Sequence, residues 1–231
     1  MTPIPILFED GEALIIDKPA GLPIERPRAG GACLEDRAHE LRLGFQLSPV
    51  PVHRLDTDTS GCLLLARNSG ALKRFSAAFE ARAVEKVYLG VLAGVLEGDE
   101  GTIELALSKI SSAEKGWRMI PARKGKPSRT HWRKLDERGG LTLVEFRPET
   151  GRTHQIRVHA KQMGHPLVGD MDYAGRKRSR EDRKWAHRVM LQAQKIEFEH
   201  PRNGKRIHFE SKGEEVKEVL KYLSGPVNTV V

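Results

Sequence analysis

Two carboxylates, Asp56 and Asp58, stand two residues apart in the stretch VHRLDTDTSGCLLLARN (Val52 to Asn68), just ahead of a Thr-Ser-Gly turn and an apolar run. A carboxylate on an irregular segment that leads straight into a buried strand is well placed for chemistry, because rigid scaffolds present much of their function on such loops. Asp56, beside Thr59, Ser60 and nearby backbone amides and helped by the basic residues around it, can act as a lone carboxylate nucleophile. The plainer role for either aspartate is to accept hydrogen bonds from turn amides.

Two other chemistries use related spacings. An aspartyl phosphotransferase carries Asp-x-Asp-x-Thr, but it wants an apolar strand before the motif, and PVPVHRL is short and broken by prolines. Asp-Thr-x-x-Ser-Gly is faintly like an aspartic protease, but a second, matching Asp-Thr half is missing here. The second constellation is GRTHQIRVHAKQMGHPLVGD (Gly151 to Asp170). Its histidines, His154, His159 and His165, fit neither His-Glu-x-x-His nor a Cys/His zinc pattern, so no metal is expected and the rings are left to meet phosphate, cap or pack. Arg152 and Arg157 are five apart and need not share a helix face.

The elements that must position these residues follow from patterning. ILFEDGEALIIDKP reads as two strands around an Asp-Gly turn, the second ended by Pro19, and an amphipathic piece lies near Leu34–Leu43. CLLLA is a short buried strand, and Leu72, Phe75 and Phe79 mark a helix over 70–82. KVYLGVLAGVL is strand-like. THWRKL and LTLVEF flank DERGG as a hairpin, and KIEFEHPRNGKRIHFE is a second one turning at Asn203-Gly204. RVMLQAQKIEF reads as an apolar strand. Around GRTHQIRVHAKQMG a helix is expected, capped by Thr153, with Ile156, Ala160 and Met163 on one face and Gly164 ending it. A last helix puts Val216, Val219, Leu220 and Leu223 on one side. Strands and helices do not alternate regularly, which favours an α+β fold around a mostly antiparallel mixed sheet flanked by helices.

The 231 residues suffice for a self-sufficient core, and no linker divides them. Lys and Arg outnumber Asp and Glu by 39 to 31, a net +8 that points to a polyanionic partner, nucleic acid before membrane. Basic residues concentrate in Ser108–Arg129, read as structure-poor, and in Gly175–Arg188, with Trp117 and Trp185 interleaved. Both segments are expected to track phosphates. Two cysteines allow no disulfide framework, no signal peptide opens the chain, and no apolar run approaches bilayer length, so a cytoplasmic setting is expected.

HRLDTDTSGCLLLA (53–66) closely resembles the His-Arg-Leu-Asp-x-x-Thr-Ser-Gly signature of the large-ribosomal-subunit pseudouridine synthase A family. IIDKPAGLPI, EKVYLGVL, GRTHQIRVHAKQMGHPLVGDMDYAG and MLQAQKIEFEHP match the same family in the same order, over roughly residues 6–210. The resemblance implies an RNA isomerase that turns uridine into pseudouridine in stem-loops of transfer or ribosomal RNA, with no cofactor, metal or energy source. By position it implies Asp56 as the catalytic carboxylate, with Asp58 at a variable place in the motif. Tyr88 then stacks on the base and assists removal of a ring proton, Arg157 pairs with the aspartate, and Arg54 occupies the space the flipped uridine leaves. Leu191 corresponds to an apolar wall of the uracil pocket. His53, Thr59, Arg152 and His154, inside the same motifs, are expected on the substrate side.

These roles are physically consistent. An arginine within ~4–6 Å favours an ionised carboxylate. Flipping a base costs a few kcal/mol, and stacking on an aromatic ring returns ~1–3 kcal/mol. Many relatives carry a small RNA-binding domain ahead of the catalytic one. Here the first strand begins within ten residues of Met1, so a single catalytic domain over 1–231, acting as a monomer, is expected. A non-catalytic RNA-binding module of the same fold is the alternative, and the joint presence of Asp56, Tyr88 and Arg157 argues against it.

Overall fold

The computed structural model describes residues 2–28, 30–112, 116–175, 182, 186–213 and 215–216. In chain order these form β1 (Ile6–Glu9), β2 (Ala13–Lys18), α1 (Leu34–Arg37) with a 3₁₀ turn at Ala38–Leu41, β3 (Val50–Pro51), β4 (Ser60–Ala66), α2 (Ser69–Glu80) and β5 (Glu85–Ala93). There follow β6 (Glu100–Ser112), β7 (Gly116–Pro121), β8 (Lys126–Arg138), β9 (Leu141–Pro148), α3 (Gln155–Gln162), β10 (Leu191–Glu199) and β11 (Arg206–Glu210). All strand pairs within the two units below are antiparallel except β4 with β10, so the expected α+β class with mixed, mostly antiparallel pairing holds. The chain groups into two compact units, residues 1–87 with 192–213 and residues 88–191 with 214–231.

In the first unit, β4 lies between β2 and β10. That place explains its unbroken apolar run, because a central strand covered on both faces has no solvent side to make polar. Cys62, Leu64 and Ala66 point to the cluster built by Ala71 and Phe75 of α2. Leu63 and Leu65 point the other way, by strand alternation, and Leu65 lines a cavity of about 250 Å³ with Leu34 and Ala38. Helix α2 starts where Asn68 accepts the Ala71 amide at 2.8 Å, an N-cap of the preferred type. The β1–β2 hairpin turns at Asp10-Gly11 as its sequence predicts, Asp10 Oδ1 accepting the amides of Glu12 and Ala13.

The second unit is an antiparallel array in the order β5-β9-β8-β6-β7, with α3 packed through Ile156 and Ala160 against Leu92, Val144 and Phe146. The β8–β9 turn is tighter than DERGG suggests. Strand β8 continues through Arg138, and only Gly139-Gly140, with φ of 56° and 74°, reverse the chain. Positive φ at both central residues is the two-residue turn that matches strand twist.

Two expectations are corrected. Ser108–Arg129 is not structure-poor: β6, β7 and the start of β8 run through it. Among the described residues of Ser108–Arg129 only Met119 and Ser128 are buried, so most side chains face solvent and the period-2 signal is faint, while the ladder partners are remote in sequence. Thr153 is not the cap of α3. The helix begins at Gln155, and His154 holds the N-cap position in the left-handed region at φ 52°. Trp185 and most of the expected C-terminal helix beyond Val216 lie outside the described residues.

Candidate active site

Asp56 is half-buried at the start of a turn closed by the Thr59 amide, which donates to the Asp56 carbonyl at 3.1 Å. On either side the chain is anchored. Leu55 and Thr59 are buried, Asp58 is exposed, and Ser60 opens β4. The Thr57 carbonyl accepts the Gly21 amide at 2.9 Å and the ammonium of Lys18 at 3.0 Å. Lys18 has no solvent exposure, and it also donates to the carbonyls of Pro19 and Leu22 at 2.8 and 2.9 Å. A buried cation satisfied by carbonyl oxygens therefore ties the IIDKPAGLPI loop to the Asp56 turn. Hydrogen bonds to a charged donor are among the stronger ones, about 1.5–3 kcal/mol.

His53 faces inward. Its Nε2 accepts the Leu64 amide at 3.1 Å and its ring stacks on Phe79 at 4.7 Å. Burial, and secondarily the Lys86 charge, push its pKa down to about 3, so the ring is neutral at physiological pH. Thr59 is only 3% exposed. The placement of both is that of supports for the Asp56 loop, whereas Arg54 is exposed beside them. Cys62, next to the motif glycine, is no competing nucleophile, since burial raises its thiol to about 12.

Within the second unit, Tyr88 and Leu191 meet on one cluster with Ile156, Leu167 and Val189; Leu191 is buried and Tyr88 half-buried. Arg157 projects from α3 and is almost fully buried. Its Nε and Nη2 bind Asp170 at 2.8 and 2.7 Å in a two-pronged pair, and Nη2 also reaches Asp172 at 2.6 Å. Asp170, wholly buried, additionally accepts the amides of Asp172 and Tyr173. The fork geometry of arginine suits such a carboxylate, and it fixes the guanidinium plane. Sequence reasoning named Arg157 but missed Lys18, Asp170 and Asp172, whose pairing with Thr57 and with Arg157 is made by the fold and not by a spacing motif.

The remaining candidates have structural partners. Arg152 donates from Nε to the Pro127 carbonyl at 3.2 Å, His154 Nδ1 lies 2.9 Å from the Tyr173 hydroxyl, and His165 Nδ1 lies 3.0 Å from the Ala93 carbonyl. His159 is fully buried with Nε2 2.9 Å from Ser128 Oγ. Ser128 donates its proton to the Leu105 carbonyl at 2.6 Å, so Nε2 must carry the imidazole hydrogen, and Nδ1 is a buried acceptor with no hydrogen-bond partner. Protonating Nδ1 would create an unsatisfied buried cation, and burial accordingly lowers this pKa to about 4. The unfolded chain, with histidine near 6.5, then takes up the proton first. Stability is full above pH 6.5 and falls as pH drops from there towards about 4, by at most ~1.4 kcal/mol per pH unit from this residue. Urea unfolding at pH 7.5 and 5.5 should show a smaller difference in His159→Gln than in the wild type; equal differences would remove His159 as a source of acid sensitivity.

Among the described residues no group of three or more His, Cys, Asp or Glu is arranged to hold a metal ion, and no helix is long and apolar enough to cross a membrane. Residues 12–162 match the family described as RNA pseudouridylate synthase. An uncharacterized RNA pseudouridine synthase of Zymomonas mobilis is 50% identical over 83% of this chain and 88% of its own length. The ribosomal large subunit pseudouridine synthase D of Nitrosomonas europaea is 39% identical over 90% of this chain, which spans 62% of that protein. Among solved structures, human RNA pseudouridylate synthase domain containing 1 superposes with a TM-score of 0.74 at 29% identity, covering 93% of this chain and 87% of the other. The match embraces both the Asp56 turn and the Arg157 helix, and the chain belongs to the RNA pseudouridylate synthase family, isomerases that act on RNA.

Proposed function

We propose that the chain converts particular uridines of stem-loops in ribosomal or transfer RNA to pseudouridine, with Asp56 as the carboxylate nucleophile acting on a flipped-out nucleotide. The observation that supports this most is how Asp56 is held. Its turn is pinned by a fully buried lysine and by a buried threonine, while the aspartate itself stays half-exposed. A fold that spends a buried cation on one turn gains a carboxylate whose position needs little reorganisation when the reaction begins.

In this reading the base leaves its nitrogen link to ribose, turns, and rejoins the sugar through a ring carbon. That carbon loses its proton and the ring nitrogen gains one, so the atoms balance with no co-reactant. Tyr88 stacks on the extruded uracil and assists removal of the ring-carbon proton, Leu191 lines the apolar side, and Arg157 is the arginine that the family resemblance pairs with the aspartate. Arg54, exposed beside the turn, fills the gap left in the RNA helix. Unstacking costs a few kcal/mol, which Tyr88 recovers in part.

Pseudouridine mapping at nucleotide resolution, on ribosomal and transfer RNA from cells with and without the gene, tests the reading. One or a few positions should lose their signal and regain it when the gene is restored. Identical maps would defeat it.

A further inference from the structure

Beyond the reacting residues, the second unit holds an aromatic side chain that packing does not explain. Trp117 of β7 is 44% exposed. It lies diagonally across the ladder from Lys109, whose ammonium sits 4.8 Å from the indole centroid, and the His154 ring is 5.0 Å away on the same unit. The residues next inward on this face, Met119 and Leu107, are buried against Val158 of α3 and Tyr173. The ribbon thus continues past its own core and carries an indole out into solvent. With nearly half of its surface left to solvent, the indole keeps apolar area available to a partner.

The charge around it names the partner. Ser108–Arg129 holds seven Lys or Arg against one acidic residue, Glu114. Lys109, Arg123, Lys124 and Lys126 are exposed. Among the described residues, ion pairs to acidic groups engage only Arg129 of this segment, through Glu104 and Glu149. Basic side chains left to solvent beside an aromatic ring are the combination that holds single-stranded nucleic acid, with bases on the ring and phosphates on the cations. Duplex RNA offers no equivalent, since its bases stay stacked and its deep groove excludes side chains.

The position is also apt. The Trp117 ring touches His154, whose Nδ1 meets the Tyr173 hydroxyl, and the same hydroxyl accepts the Met119 amide at 3.1 Å. The Arg157 guanidinium lies 5.0 Å from the Tyr173 ring centroid. A continuous series of contacts thus joins the indole to the arginine assigned to the reaction.

We propose that the face of the β6–β7 ribbon bearing Lys109 and Trp117 docks unpaired nucleotides of the RNA substrate, the indole stacking on a base and Lys109 taking a flanking phosphate. The inference rests on the RNA-directed reading above, and it adds a place where the RNA is held apart from the reacting uridine.

Fluorescein-labelled oligouridylate and a blunt RNA duplex of equal length, each titrated with the full chain, provide the test. Trp117→Ala should weaken oligouridylate binding by roughly tenfold, with Trp117→Phe retaining most of it and duplex binding changing little. Lys109→Ala should flatten the salt dependence by about one phosphate contact. Oligouridylate should also quench tryptophan fluorescence in the wild type, and Trp117→Phe should abolish most of that quenching. Unchanged melting of the variants separates docking from folding. The proposal is overturned if Trp117→Ala binds oligouridylate like the wild type, if both probes weaken alike, or if neither binds the wild type. It is equally overturned if the variant changes only self-association in sedimentation, which would make the face a protein contact. Asp56→Asn, assayed in parallel, should bind oligouridylate normally. A wild type that shows Trp117-dependent binding and yet forms no pseudouridine would leave the docking face standing while removing the reaction.

Discussion

Asp56→Asn should lower pseudouridine formation by on the order of 10³-fold or more, the scale seen when a nucleophile is removed from a preorganised site. Asparagine is close in size to aspartate, and the turn is held by backbone groups, the Asp56 carbonyl with the Thr59 amide and the Thr57 carbonyl with Lys18. The variant should therefore fold and melt like the wild type while losing the charge. Asp58→Asn, on the exposed part of the same turn, should keep most activity. Single-turnover assays on RNA lacking the modification would measure both. A comparable loss in the two variants, or an active Asp56→Asn, would show that the chemistry has been assigned to the wrong carboxylate.

Gly61→Ala should cost roughly 3–5 kcal/mol of stability, combining backbone strain of about 1–3 kcal/mol with overpacking of a similar size. Gly61 sits at φ 109°, a conformation that side chains rarely adopt. It also faces Ala193 across the parallel β4–β10 ladder, and an added Cβ would come within 2.2 Å of the Ala193 carbonyl oxygen. That neighbour is backbone and cannot swing aside. Because Gly61 directly follows the Asp56 turn and Ser60, relief by shifting β4 would displace the carboxylate as well. Chemical denaturation and turnover should fall together. A variant as stable as the wild type would mean that the strands separate easily at this point, contrary to their register.

These two positions differ in how readable they are. Asp56 and its motif stand out in the sequence because a turn signature abuts an unbroken apolar strand. The glycine of Thr-Ser-Gly reads as part of that turn, but its reason is a carbonyl contributed from 132 positions later in the chain. Lys18 shows the same limit. It ends ALIIDK, an otherwise buried strand, where a lysine ordinarily marks the surface. Its complete burial goes with carbonyls that converge on the ammonium from Pro19, Leu22 and, 39 residues on, Thr57.

Local patterns determined the α+β class, the hairpins at Asp10-Gly11 and Gly139-Gly140, the helix over Ser69–Glu80 and the order of the motifs, because turn chemistry and hydrophobic period act between near neighbours. They did not determine the β6–β7–β8 ribbon, whose strands are highly charged and whose pairing runs to remote partners. Nor did they decide where the charges of the GRTHQIRVHAKQMGHPLVGD stretch go. Spacing left Arg157 a free choice of faces, and the tertiary fold committed it to Asp170 and Asp172 while turning His159 into a neutral, buried donor. The physical reason is common to all of these. A buried charge or a close backbone approach is tolerable only when specific partners arrive, and those partners are brought together by packing rather than by adjacency in sequence.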